Sequence, residues 1–216
     1  MRSSEYVMAV SCPAHAHRLT VVALHGFNSS GPEFQAKLRS LLPRHVRNHT
    51  RLVFPSAPTR RITCYRNSRM SAWHDYFTNY GDFDDAQEED IDVEQLKESS
   101  SRIQMLVAAE RERCSRTVLL GESQGGCVAI DVALRFNVPA ISLFGQRYRS
   151  SPSDAFHPPI FSLHGGWDTV IPPEIGVSSL ETIPNVRLKT VRGYTHAQGG
   201  RVVNTFIRDA LVTLSL

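Results

Sequence analysis

The sequence predicts an α/β protein built on a mostly parallel sheet with helices on both faces. Two observations carry this. Short runs of Val, Ile, Leu and Phe alternate with stretches whose apolar residues recur at helical spacing, the pattern of strands buried beneath helices. Polar, glycine-bearing segments follow the strand runs, and in such sheets function gathers at the carboxyl ends of strands. The 216 residues suffice for a single domain, 1–216, with a sizeable core.

Residues 19–24 (LTVVAL) make the first strand, rich in β-branched side chains. The loop 25–31 follows, and Pro32 opens a helix with Phe34, Leu38, Leu41 and Leu42 on one face. Residues 51–54 form a short strand stopped by Pro55 and Pro58. Residues 59–81 show no clear period and are expected to form a long loop, which in a compact domain is usually functional or disordered. A helix is expected over 90–113, with Val93, Leu96, Ile103, Leu106 and Val107 apolar. Strand 117–120 runs into a turn and a further helix. Strands 139–144 and 159–163, a helix from Pro172 to about residue 180, strand 186–191 and a helix over 201–214 come last. Residues 1–17 carry no element signal and are expected to be a flexible N-terminus.

Hydrophobic content of 41% and charged content of 21% are those of an ordinary soluble globular protein. A net charge of +3 does not argue for nucleic acid as partner. No apolar run approaches the roughly 20 residues of a membrane span, and the first residues lack the apolar stretch of a secretory signal. Cys12, Cys64, Cys114 and Cys127 are scattered without a C-x-x-C pair, so neither a disulfide framework nor a zinc site is expected. The cytoplasm is the default compartment. Oligomeric state stays open.

The stretch GESQGG, 121–126, places Ser123 between a buried strand and a helix. Glycines at 121 and 125 let that turn be tight, which is the G-x-S-x-G nucleophile elbow. A serine hydroxyl is a weak nucleophile and needs a base beside it. Two later strand ends supply the partners: Asp168 in LHGGWDTVIP and His196 in GYTH. The chain order Ser, Asp, His is that of the α/β-hydrolases. His196 would take the serine proton, and Asp168 would hold its tautomer and stabilise the imidazolium. The backbone N–H groups of Gln124 and Phe27 are the candidate oxyanion donors. Among rivals, His164 and His25 read as braces of their loops, Glu122 as pointing away from His196, and Cys127 as core.

With these pieces the chain resembles the acyl-protein thioesterase family, also called the phospholipase/carboxylesterase family of α/β-hydrolases. LHGFNSSG (24–31), PSAPTRRIT (55–63), MSAWHDYF (70–77), GESQGG, LHGGWDTVIP (163–172) and GYTH (193–196) carry the resemblance over nearly the whole chain. It implies the same Ser123, Asp168 and His196 triad, the Phe27 and Gln124 hole, and hydrolysis of thioesters or carboxylic esters. Palmitoyl thioesters on protein cysteines and lysophospholipid esters are the family's common substrates, and no metal or organic cofactor is expected. The chain departs from the family at Glu122, in the polar segment 145–151, and in the arginines 60, 61, 66 and 69 of the long loop. These departures weigh against long acyl chains and leave a shorter or charged ester open. Met70 and Trp73 are the candidate acyl contacts in that loop; the alternative is that Trp73 anchors the loop to the core.

Two other functions share these features: a broader fungal-type serine hydrolase, and an inactive α/β-hydrolase acting as a binding module. The intact triad argues against the second. The acidic run from Asp82 to Asp92 reads as a solvated face that favours a helix N-terminus.

Overall fold

The computed structural model describes residues 8–13, 16–41, 47–78, 90–148 and 156–215. Its main strands are β1 (Met8–Ser11), β2 (Leu19–Leu24), β3 (Thr50–Pro55), β6 (Thr117–Glu122), β7 (Ala140–Leu143), β8 (Ile160–Gly165) and β9 (Val186–Val191). They form one sheet in the order β1-β3-β2-β6-β7-β8-β9. Every neighbouring pair is parallel except β1 with β3.

All six residues of β2 are buried because the sheet is covered on both sides. Strand periodicity sends Val22 and Leu24 to one face and Leu19, Val21 and Ala23 to the other. The first face packs on α2 (Val93–Arg111) and α3 (Gln124–Phe136) through Leu96, Ile103, Val128 and Val132. The second packs on α1 (Gly31–Leu41) and α6 (Arg201–Ser215) through Phe34, Leu38, Val203 and Ile207. Asp92 caps α2, its carboxylate accepting the Gln95 N–H at 3.0 Å. Among the described residues no helix is long and apolar enough to cross a membrane.

Three expectations are corrected. The segment read as structureless contains an antiparallel hairpin, β4 (Thr59–Ile62) and β5 (Ser68–Ser71), joined through a 3-10 turn at Thr63–Tyr65. Arg66 and Asn67 close it in the left-handed region, with φ of 55° and 58°. Arginines on both strands hid the alternation that marks a hairpin; residues 79–81 of that segment lie outside the described residues. Met8–Ser11, expected to be flexible, instead forms β1 on the edge of β3; residues 1–7 lie outside the described residues. The helix expected from Pro172 is two short turns, α4 (Pro173–Gly176) and α5 (Ser178–Glu181). Leu42 and most of the acidic run lie outside the described residues.

Strand order reverses around β2, with β3 on one side and β6 on the other. The loops leaving β2 and β6 therefore diverge and open a crevice at the carboxyl edge of the sheet. Residues 25–31 and Ser123 sit there.

Candidate active site

Ser123 stands between β6 and α3 with φ 53° and ψ −123°, a conformation costly for a residue with a Cβ. The surroundings hold it there. Its N–H donates to Leu143 O at 2.8 Å, and its carbonyl accepts the Cys127 N–H at 3.0 Å. The turn is as tight as glycine permits. A Cβ on Gly121 would lie 2.1 Å from Gly125 O, and one on Gly125 2.3 Å from Leu24 O.

The loops after β8 and β9 bring the other two residues to it. His196 Nε2 is 2.7 Å from Ser123 Oγ, and His196 Nδ1 is 2.8 Å from Asp168 Oδ2. One tautomer satisfies both contacts: Nδ1–H donates to the carboxylate, leaving Nε2 bare to accept from the hydroxyl. Asp168 Oδ1 accepts the N–H groups of Val170 and Ile171, each at 2.9 Å. Burial would push the Asp168 carboxyl up. The hydrogen bond and charge of His196, with the two backbone donors, outweigh it and hold the group below its ordinary value. Asp168 is thus held as an oriented carboxylate. Trp167 N–H donates to Tyr194 O at 2.9 Å, locking the aspartate loop to the histidine loop.

Both bracing histidines sit where the sequence places them. His164 lies 3.4 Å from Asp168 through Nε2, which donates at 2.8 Å to Ile171 O. His25 donates from Nδ1 to Gly26 O at 2.7 Å and accepts the Ala57 N–H at Nε2, 2.9 Å away. Burial lowers the pKa of each, keeping both rings neutral. Glu122 pairs with Lys37 Nζ at 2.5 Å, on α1 and away from His196. Cys127 is buried and accepts the Gln146 N–H at Sγ.

Phe27 and Gln124 flank the serine at the ends of β2 and β6. Among the described residues, no protein acceptor takes either backbone N–H. The Phe27 ring stacks on Tyr65 of the hairpin turn, centroids 5.4 Å apart, and meets the edge of Tyr76 at 5.6 Å.

The two candidate acyl contacts, Trp73 and Met70, both pack against the core. Trp73 is 1% exposed, its indole N–H donating to His25 O at 2.8 Å. It anchors the loop to the core because an indole buried this deeply must spend its donor on a fixed acceptor. Met70, half-buried on β5, packs against the same core cluster. Sequence reasoning missed the Gln124 side chain, whose Oε1 accepts the Trp73 N–H at 2.9 Å and whose Nε2 donates to His74 O at 2.9 Å. A glutamine beside the nucleophile was its only signal. It also passed over His74, fully buried, whose Nδ1–H donates to Asp75 O at 3.2 Å. Burial pushes the His74 pKa down to about 4.

A mostly parallel sheet that presents a serine at a strand-to-helix turn is the architecture of the α/β-hydrolases. Within that class, the chain belongs to the phospholipase/carboxylesterase family, whose model matches residues 6–211. An acyl-protein thioesterase 1 from Yarrowia lipolytica is 29% identical over 213 residues, covering 88% of this chain and 90% of the relative. Among solved structures, Zea mays acyl-protein thioesterase 2 superposes with a TM-score of 0.72 at 21% identity, covering 94% of this chain and 98% of its own. Arabidopsis thaliana SOBER1 does so with a TM-score of 0.74 at 22% identity, covering 90% and 99%. At these identities the two structures speak for the fold. The family match decides for the phospholipase/carboxylesterase family over the broader fungal-type hydrolases.

Proposed function

We propose that the protein hydrolyses carboxylic esters or thioesters through an acyl-enzyme on Ser123. The observation that carries this reading is the unbroken chain of hydrogen bonds from Ser123 Oγ through His196 to Asp168. Oγ attacks the carbonyl carbon while His196 Nε2 takes its proton, and Asp168 stabilises the imidazolium that forms. The carbonyl oxygen becomes an oxyanion and accepts hydrogen bonds from the Phe27 and Gln124 N–H groups. Collapse expels an alcohol or thiol, which receives the proton from His196. Water then attacks the acyl group by the same route and frees the serine.

The relative named acyl-protein thioesterase brings thiols within the range of leaving groups, and an acylated protein, a lipid or a small ester fits the reading. With Trp73 in the core, no acyl channel is assigned to the hairpin. Four cysteines scattered without a C-x-x-C pair fit a reducing compartment, and we place the protein in the cytoplasm.

A fluorophosphonate probe tests the reading. The wild-type chain is expected to be labelled at Ser123, and Ser123→Ala to be unlabelled and to retain less than about a hundredth of the hydrolytic rate. An unlabelled, folded wild type would leave the inactive binding module as the better reading. A panel of esters and thioesters of increasing chain length then identifies the substrate class.

A further inference from the structure

We infer that Trp73 is a positioning residue that holds the two oxyanion donors at their working separation. This rests on the reading above, in which the Phe27 and Gln124 N–H groups receive the oxyanion. Those donors leave the sheet from two different strands, and nearly 100 residues of chain separate them. A hydrogen-bonding site for a developing charge works only if its donors are fixed before the charge appears. Such a constellation must be held to within about 0.5 Å. Something has to span the gap.

Trp73 spans it with two hydrogen bonds. Its indole N–H reaches His25 O at 2.8 Å, in the loop after β2. Its backbone N–H reaches Gln124 Oε1 at 2.9 Å, in the elbow after β6. The ring also lies against the His25 imidazole, centroids 5.1 Å apart. His25 in turn donates from Nδ1 to Gly26 O at 2.7 Å. That carbonyl belongs to the same planar peptide unit as the Phe27 N–H, so fixing one fixes the direction of the other. On the elbow side, the Gln124 amide is clamped at both ends, by Trp73 N–H and by His74 O. Trp73 O is itself held by the Ser99 hydroxyl of α2. Trp73, His25 and Gln124 are all buried, so water does not compete for these bonds.

A residue that merely fills the core would affect stability and leave the chemistry of folded protein alone. A residue that sets the donors affects kcat, and does so most where the carbonyl oxygen is the acceptor. The test is Trp73→Phe, which keeps an aromatic ring and removes the indole N–H, beside Gln124→Met, which severs the other link while keeping the backbone N–H. Each is assayed on an oxygen ester and on the matching thionoester, whose C=S is a weak acceptor. We expect kcat on the oxygen ester to fall roughly tenfold to a hundredfold, within the span set by removing one oxyanion donor. KM is expected to change by less than about threefold, and the pH profile to keep its shape, because His196 is untouched. The oxygen-over-thiono preference is expected to shrink by about the same factor as kcat.

If Trp73→Phe does not fold, benzothienylalanine at position 73, in a Trp167→Phe background compared with itself, keeps the indole shape without its N–H. Folded variants with wild-type kcat and an unchanged oxygen-over-thiono preference would overturn the inference, as would losses confined to KM. Failure of the hydrolytic reading looks different, because the folded wild type would then go unlabelled by the fluorophosphonate probe, or Ser123→Ala would keep the wild-type rate.

Discussion

Replacing His74 by phenylalanine is expected to flatten the acid side of the protein's stability curve. Burial holds the His74 pKa at about 4, against an ordinary 6.5. The unfolded chain therefore takes up the proton first as pH falls. The stability this neutral ring supports is whole above the unfolded value and drains away as acidity rises, until the native ring is protonated as well. The gap of about 2.5 pH units is worth roughly 3 kcal/mol, at about 1.4 kcal/mol per unit. Between about pH 7 and about pH 5 the linkage relation gives a loss of about 2 kcal/mol from this one group. His25 and His164 contribute in the same direction but are present in both proteins, so they cancel in the comparison. Losing the bond from Nδ1–H to Asp75 O lowers the variant's stability similarly at the two pH values. Urea unfolding of both proteins at the two pH values measures the difference. The wild type is expected to lose about 2 kcal/mol more than His74→Phe. Parallel losses would refute the reasoning, since they would mean His74 titrates as freely in the native state as in the unfolded one.

Asp168→Asn is expected to fold and to lose roughly 10³–10⁴ in rate, because the amide no longer selects the His196 tautomer that leaves Nε2 bare; steady-state kinetics with a parallel thermal melt checks both halves. Gly125→Ala is expected to impair folding outright, its Cβ meeting the Leu24 carbonyl at 2.3 Å, and the soluble yield and melting temperature report it. Arg61 and Arg69 face one another across β4 and β5, whereas Arg60 is paired with Glu98 at 2.9 Å. Arg61→Gln/Arg66→Gln/Arg69→Gln is therefore expected to lower kcat/KM for an ester with an anionic leaving group by a few-fold relative to a neutral one, and to remove its salt dependence. An unchanged ratio across ionic strengths would show that the hairpin's charge does not reach the substrate.

What the sequence made legible follows from how local each signal is. Strand β2 is apolar at every position but Thr20, and β6 carries Val118, Leu119 and Leu120 in a row, so their burial needs no tertiary knowledge. Ser123, Asp168 and His196 were readable because each follows a strand and their chain order matches a known arrangement. The hairpin was not readable, since Arg60, Arg61 and Arg69 interrupt any alternation and the pairing is set by register across the turn. Four residues on an edge, Met8–Ser11, give too short a pattern to separate from coil. Trp73 could be read as channel wall or as anchor from its neighbours alone. Only the fold shows its indole aimed at the His25 carbonyl.

The strand order has a consequence for how activity is lost. Ser123, Phe27 and Gln124 hang from β2 and β6, each paired with a strand on both sides. His196 hangs from β9, an edge strand half of whose side chains face solvent. Edge elements with few buried contacts open at lower free energy than central ones. On the proposed mechanism, warming is therefore expected to release His196 while Ser123 and the strands that carry it stay folded. In hydrogen exchange the amides of β9 are expected to open well before those of β6, and hydrolysis to fail several degrees below the temperature at which the core melts. The protein would carry its weakest joint at the one residue that must both accept and return a proton.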